Sequence, residues 1–277
     1  MASNENIILN YNDQDIHLSA KLRLINESLI IFMHGFGCAK ECFDAAFRAD
    51  GLKNFSICTF DFPGHGNSSR ASVSTYSLQF YADIVNMLID LISPTKVSMV
   101  CHSMGGAVGL IATQGRRNLD VFVNVEGNLV AEDCGIVSRS IARQSLRTFT
   151  RQGFKKFLDG LRASDRDGDQ AWAPWYAQAD PAALHESARS LVEWSDTGKL
   201  LDLFEGLKDK SYVYGASDSK SYLLQHLNGM SSYAIPESGH FVMLDNPSAF
   251  YSLLPELLHQ APKKSRARTV LLPSRSS

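Results

Sequence analysis

The chain has 277 residues, 44% of them apolar and 10% aromatic, with 27 basic and 29 acidic side chains and a formal net charge of -2. That is enough apolar chain for one sizeable core, and too little charge of either sign for the field that a nucleic-acid binder presents. Residues 1–10 lack the basic start, apolar run and small-residue cleavage site of a secretory signal, and no apolar run approaches the roughly 20 residues of a membrane span. The five cysteines, odd in number, follow no disulfide or metal spacing. A cytoplasmic protein with reduced thiols is expected. It takes a small-molecule substrate, uses no cofactor or metal, meets neither nucleic acid nor membrane, and works as a monomer or homodimer.

Residues 7–11 and 16–24 read as opening strands. The continuous apolar run Leu29-Ile30-Ile31-Phe32-Met33 predicts a strand buried on both faces, and it ends at His34-Gly35-Phe36-Gly37. A helix over 41–52, a strand over 55–62 and a long amphipathic helix over 75–92 follow. The apolar strand over 97–101 runs into Ser103 and the small residues Gly105 and Gly106, and a strand over 121–125 stops at Glu126-Gly127. From about 128 to 207 helical periodicity takes over, interrupted by a solvated turn at 165–169 and by Asp180-Pro181. Strands resume over 212–214 and 233–235, and a helix closes over 247–259. The basic segment after 261 has no apolar periodicity, as in a disordered tail. Strand and helix alternation on both sides of the insertion predicts an α/β fold, a mostly parallel central sheet with helices on both faces. The expected division is a core over 1–128, a helical cap over 129–207, a second core part over 208–261 and a tail over 262–277.

The chemistry concentrates at Cys101-His102-Ser103-Met104-Gly105, which approximates G-x-S-x-G with cysteine for the first glycine. A serine on a sharp strand-to-helix turn projects its hydroxyl above the sheet, and small neighbours make the turn possible. As a mere helix cap, Ser103 would need none of that context. A serine hydroxyl is a poor nucleophile without a base in reach, and His240, in Ser238-Gly239-His240-Phe241 just after a strand, is the candidate base.

Four motifs in order, His34-Gly35-Phe36-Gly37, Asp61-Phe62-Pro63-Gly64-His65-Gly66-Asn67-Ser68, the Ser103 turn and Ser238-Gly239-His240-Phe241, resemble the α/β-hydrolase superfamily over residues 1–128 and 208–261. The resemblance implies the α/β-hydrolase fold, a serine hydrolase mechanism, an oxyanion hole from the N–H groups of Phe36 and Met104, an ordering role for His34, and scaffold roles for His65 and His102. It leaves two candidates for the acid that orients His240. Asp218, in Tyr214-Gly215-Ala216-Ser217-Asp218, stands at the commoner family position and is slightly favoured, although an aspartate there also suits a plain turn. Glu126 ends the preceding strand, where some relatives, certain haloalkane dehalogenases among them, place the acid.

All three tryptophans, Trp172, Trp175 and Trp194, fall in the insertion with Tyr176. Most such rings pack the cap itself, and Trp172, Trp175 and Tyr176 are the candidates to face an apolar substrate. Other patterns carry less. Gly35-Phe36-Gly37 is no dinucleotide fingerprint, since Lys40 stands where a third glycine belongs. Asp165, Asp167 and Asp169 lack the glycine and closing glutamate of a calcium loop. Arg139, Arg143, Arg147 and Arg151 suit a solvated helix face. The expected function is hydrolysis of a small to medium apolar carboxylic ester, lactone or thioester through an acyl-enzyme. The alternatives are C–C bond hydrolysis of diketone-like compounds and slow-turnover ligand sensing. A haloalkane dehalogenase is disfavoured, because that chemistry needs a carboxylate where this chain has Ser103.

Overall fold

The computed structural model describes residues 2–71, 76–218, 220–227 and 229–258, and the tail expected over 262–277 lies outside them. Strands β1 (Ser3–Tyr11) and β2 (Gln14–Arg23) form a hairpin. It turns through Asn12 and Asp13, both at positive φ, a conformation these short polar residues tolerate. Then come β3 (Ser28–Met33), β4 (Ser56–Phe60), β5 (Lys96–His102), β6 (Leu119–Val125), β7 (Lys210–Gly215) and β8 (Ser232–Ile235). They form one sheet in the order β1-β2-β4-β3-β5-β6-β7-β8, antiparallel at the β1–β2 and β2–β4 pairs and parallel elsewhere.

Side chains alternate across the sheet. Leu29, Ile31 and Met33 of β3 join one apolar cluster, while Ile30 and Phe32 join the other. The first cluster is covered by α1 (Leu78–Ile92) and α2 (Met104–Ala112). Ser77 caps α1 by accepting from the Phe80 N–H at 3.1 Å, and Ser93 ends it in a left-handed turn. Between β6 and β7 lie α3 (Gly135–Ala142), the short α4 (Leu146–Thr148), a π turn over 149–153, α5 (Phe154–Arg162), α6 (Asp167–Gln178), α7 (Pro181–Asp196) and α8 (Lys199–Gly206). Asp180 and Pro181 start α7 as cap and first helical residue, each suited to its position. The remaining helices are α9 (Ser221–Leu224), α10 (Val242–Asp245) and α11 (Pro247–Leu257), the last capped by Asn246.

Three expectations are corrected. Residues 41–52 do not form one α-helix but two 3-10 segments, Lys40–Phe47 and Asp50–Leu52. Asp61 pins the start by accepting from both the backbone N–H and the Nζ of Lys40, and extended backbone at Ala49 breaks the run. Asp167 and Asp169 lie not in a solvated turn but in the first turn of α6, where the helix dipole favours carboxylates. The arginines share no continuous helix face, because the chain breaks between α3 and α5. Arg139 instead ties α3 to α7 through Asp196 and also bonds the Ala131 carbonyl.

β4 and β5 flank β3 on opposite sides, so chain direction across the sheet reverses there. The carboxyl ends of β3 and β5 border the crevice that such a reversal opens, the usual ligand position in an open α/β sheet.

Candidate active site

Among the described residues, six that are not glycine have positive φ. Asn12 and Asp13 turn the hairpin and Ser93 caps α1. The other three, Ser103, Glu126 and Glu237, follow β5, β6 and β8 at the carboxyl edge of the sheet. Such conformations cost about 1–3 kcal/mol each and persist only where the surroundings impose them.

Ser103 (φ 53°, ψ −123°) stands between β5 and α2, anchored by its N–H on the Val125 carbonyl at 2.9 Å. Cys101 fits the turn because the Sγ occupies space left by Gly109, where a Cβ would meet it at 2.8 Å. The loop after β3 closes over Ser103 so tightly that a Cβ on Gly35 would lie 2.9 Å from the serine Cβ. His34 holds that loop. Its Nε2 accepts from the Phe62 N–H at 3.0 Å, so its Nδ1 carries the hydrogen and donates to the Gly35 carbonyl at 2.8 Å. Burial pushes the His34 imidazole down to about 4, which keeps this tautomer neutral. Among the described residues the Phe36 N–H meets no acceptor, and the Met104 N–H belongs to the unpaired first turn of α2.

His240 donates from Nδ1 to Glu126 Oε2 at 3.3 Å, which leaves its Nε2 as a lone pair. The Glu126 side chain is fully buried. Its Oε1 accepts from the Gly215 N–H at 2.8 Å, and Lys220 Nζ lies 2.7 Å from Oε2. Burial opposes ionisation of Glu126, but the His240 hydrogen bond and the His240 and Lys220 charges outweigh it and hold the carboxyl down to about 2. A second histidine supports the first. His102 donates from Nε2 to the His240 carbonyl at 2.9 Å, and burial holds its own ring neutral, with a pKa of about 3.

The acid expected at Asp218 thus stands apart from this arrangement. Asp218 lines the same cavity as Ser103 and His240, yet among the described residues its carboxylate takes no hydrogen bond, and His240 turns to Glu126 instead. The physical reason is the register of the neighbouring strands. Glu126, one residue beyond β6, bonds across to β7 through Val213 and Gly215, which aims its carboxylate over the sheet edge toward His240.

A cavity of about 390 Å³ joins these groups, lined by Phe36, His102, Ser103 and His240 from the core and by Val137, Ser138, Trp172 and Leu191 from the insertion. Ser103 and His240 share it without a direct hydrogen bond, a separation common before substrate binds. Of the three aromatic residues expected at the substrate, only Trp172 lines it. Tyr176, one helical turn on, is fully buried between Phe154 and the Gly37 loop. Trp175 packs on the opposite apolar cluster of the sheet. Cys38 and Cys134 also line the cavity, but burial pushes both thiols up, the reverse of what a nucleophilic cysteine needs.

Sequence reasoning missed Lys220 as a contributor to this geometry. For Lys220 a signal existed, since a carboxylate ending a central strand requires a partner, and the loop after the adjacent strand is the natural place for one.

A family model described as "Alpha/beta hydrolase family" matches residues 30–253. The chain belongs to the α/β-hydrolase family. Its four motifs and strand order fit that membership. Two kinds of relative within the family are similar to it. A Mycoplasma pneumoniae protein that carries the name of an esterase/lipase is 40% identical over 81 residues, 29% of this chain and 30% of that protein. The chain therefore matches about a third of that relative's length. The Escherichia coli 2-succinyl-6-hydroxy-2,4-cyclohexadiene-1-carboxylate synthase is 25% identical over 272 residues, 88% of this chain and 98% of that protein. Among solved structures, the esterase of Exiguobacterium antarcticum superposes with a TM-score of 0.72 at 15% identity, over 92% of this chain and all of that one.

Proposed function

We propose that this α/β-hydrolase with esterase-like relatives is a serine hydrolase that cleaves a small carboxylic ester, lactone or thioester through an acyl-enzyme. Ser103 is the nucleophile, His240 the general base, Glu126 the acid that orients it, and the N–H groups of Phe36 and Met104 the oxyanion hole. The observation that carries the reading is the strained turn at Ser103 sharing one cavity with a histidine whose Nδ1 is committed to a buried carboxylate.

In the reaction, His240 Nε2 takes the Ser103 proton as Oγ attacks the carbonyl, and the two N–H groups receive the developing oxyanion, which fixed backbone donors do without reorganisation. His240 returns the proton to the leaving alcohol or thiol. Water, activated by the same base, then hydrolyses the acyl-enzyme. Glu126 keeps Nδ1 protonated and stabilises the imidazolium. Treating the protein with a fluorophosphonate and mapping the adduct tests the nucleophile. One phosphonyl group on Ser103, together with loss of ester cleavage in Ser103→Ala, is expected. An adduct elsewhere, or an active Ser103→Ala, overturns the assignment.

The match to the E. coli synthase along 98% of that protein favours a second reading, in which the same serine and histidine serve the synthesis of that cyclohexadiene carboxylate. Side-by-side assays of ester cleavage and of that synthesis separate the two.

A further inference from the structure

The polar side chains of the cavity differ in how their hydrogen-bonding capacity is used. Asp133 spends its carboxylate on the N–H groups of Leu129 and Val130 and on the Tyr222 hydroxyl. The Asp218 carboxylate, Trp172 Nε1 and His102 Nδ1 are unpartnered among the described residues, and so are two neutral side chains that can both donate and accept. Asn128, two residues after Glu126, is 4% exposed, and its side chain makes one weak contact, from Nδ2 to Cys134 Sγ at 3.9 Å. Its amide oxygen accepts nothing among the described residues. Ser138, on α3, is 7% exposed, and among the described residues its hydroxyl has no partner. Both line the cavity that holds Ser103 and His240. Neither side chain has its polar atoms among the fully buried ones without a partner, so both present open hydrogen-bonding capacity to the cavity, where a polar group of the ligand can take it up.

We infer that Asn128 and Ser138 form a polar specificity subsite, one that binds a neutral donor-and-acceptor group, a hydroxyl or secondary amide, on the acyl part of the substrate. The inference rests on the Ser103 hydrolase reading and narrows its substrate class to one with a polar acyl part, a departure from the apolar substrate expected from the sequence. A carboxamide and a hydroxyl each donate and accept, so together they complement a group that does both. A carboxylate would lack donors for their oxygens and would have to shed its hydration in a buried corner. The cap contributes Ser138 and the core Asn128, so the subsite forms across the boundary between them. The discrimination such a site achieves exceeds what an apolar pocket offers, because a ligand lacking the group leaves both side chains unpaired.

The test compares kcat/KM on p-nitrophenyl butyrate, p-nitrophenyl 3-hydroxybutyrate and the p-nitrophenyl ester of N-acetylglycine, for the wild type, Asn128→Leu and Ser138→Ala. The wild type is expected to prefer one polar ester over butyrate, and each variant to lower that ratio about tenfold, the worth of one hydrogen bond of about 1.4 kcal/mol. The better polar probe tells hydroxyl from amide. Should Asn128→Leu fail to fold, Ser138→Ala alone decides the ratio. No polar preference in the wild type, or a ratio unchanged in a folded variant, overturns the subsite while ester turnover and Ser103 labelling leave the hydrolase reading standing. No turnover of any ester together with no labelling at Ser103 overturns the hydrolase reading and the subsite with it.

Discussion

Glu126 carries a charge on a side chain with no exposure, and Lys220, itself 12% exposed, answers it at 2.7 Å. Removing one partner of a buried pair leaves an uncompensated charge, at a cost of about 3–5 kcal/mol. Lys220→Met is therefore expected to lower stability by about 3 kcal/mol in urea unfolding, and to cost much less in a Glu126→Gln background, because the two effects are coupled. Equal losses in both backgrounds would show the pair to be energetically idle. Ser103, His240 and the Phe36 loop were legible as residues because each belongs to a motif with a fixed neighbourhood. The choice between Glu126 and Asp218 was not. It depends on which carboxylate the β6–β7 register aims at His240, and a spacing of residues along the chain contains no such direction.

Among the elements, the insertion was legible as helical because its apolar period changes after β6, and its site-facing side was not. Trp172 and Tyr176 lie one turn apart on α6, yet Tyr176 is packed between Phe154 and the Gly37 loop while Trp172 reaches the cavity. Trp172→Ala is expected to change the ranking of acyl chain lengths, and Trp175→Ala to leave the ranking as it is. A parallel fall on every ester in both variants would make the insertion a purely structural cover. The 3-10 segments over 40–52 misled the sequence reading for a different reason. Their apolar spacing suits a helix, while the anchor that reshapes them, Asp61, belongs to the loop after β4.

For the molecule as a whole, the mostly parallel sheet with helices on both faces followed from the alternation of elements, while the strand order did not, and the acid response follows from its buried histidines. Burial lowers His34 to about 4 and His65 and His102 to about 3, from 6.5. All three are neutral in the folded protein and take up a proton on unfolding below pH 6.5. Over that range the unfolded chain binds more protons, so stability is full above pH 6.5 and falls as pH drops toward 4. The slope is about 1.4 kcal/mol per pH unit for each histidine. Glu126 acts in the same direction lower down, losing its contribution between 4.5 and about 2. The urea midpoint should hold steady above pH 7 and drop steeply from pH 6 to 4. A flat profile across that window would show that these rings are already charged in the folded state.

The Ser103, His240 and Glu126 arrangement is tested most directly by the turnover of two amide variants on one ester. Replacing a triad acid by its amide has lowered turnover by about 10⁴ in a serine protease. Glu126→Gln is predicted to show a loss of that order with folding intact. Asp218→Asn should stay within about tenfold of the wild type, since its charge reaches His240 only through space. A near-normal Glu126→Gln beside a crippled Asp218→Asn would contradict the account and move the acid to the loop after β7.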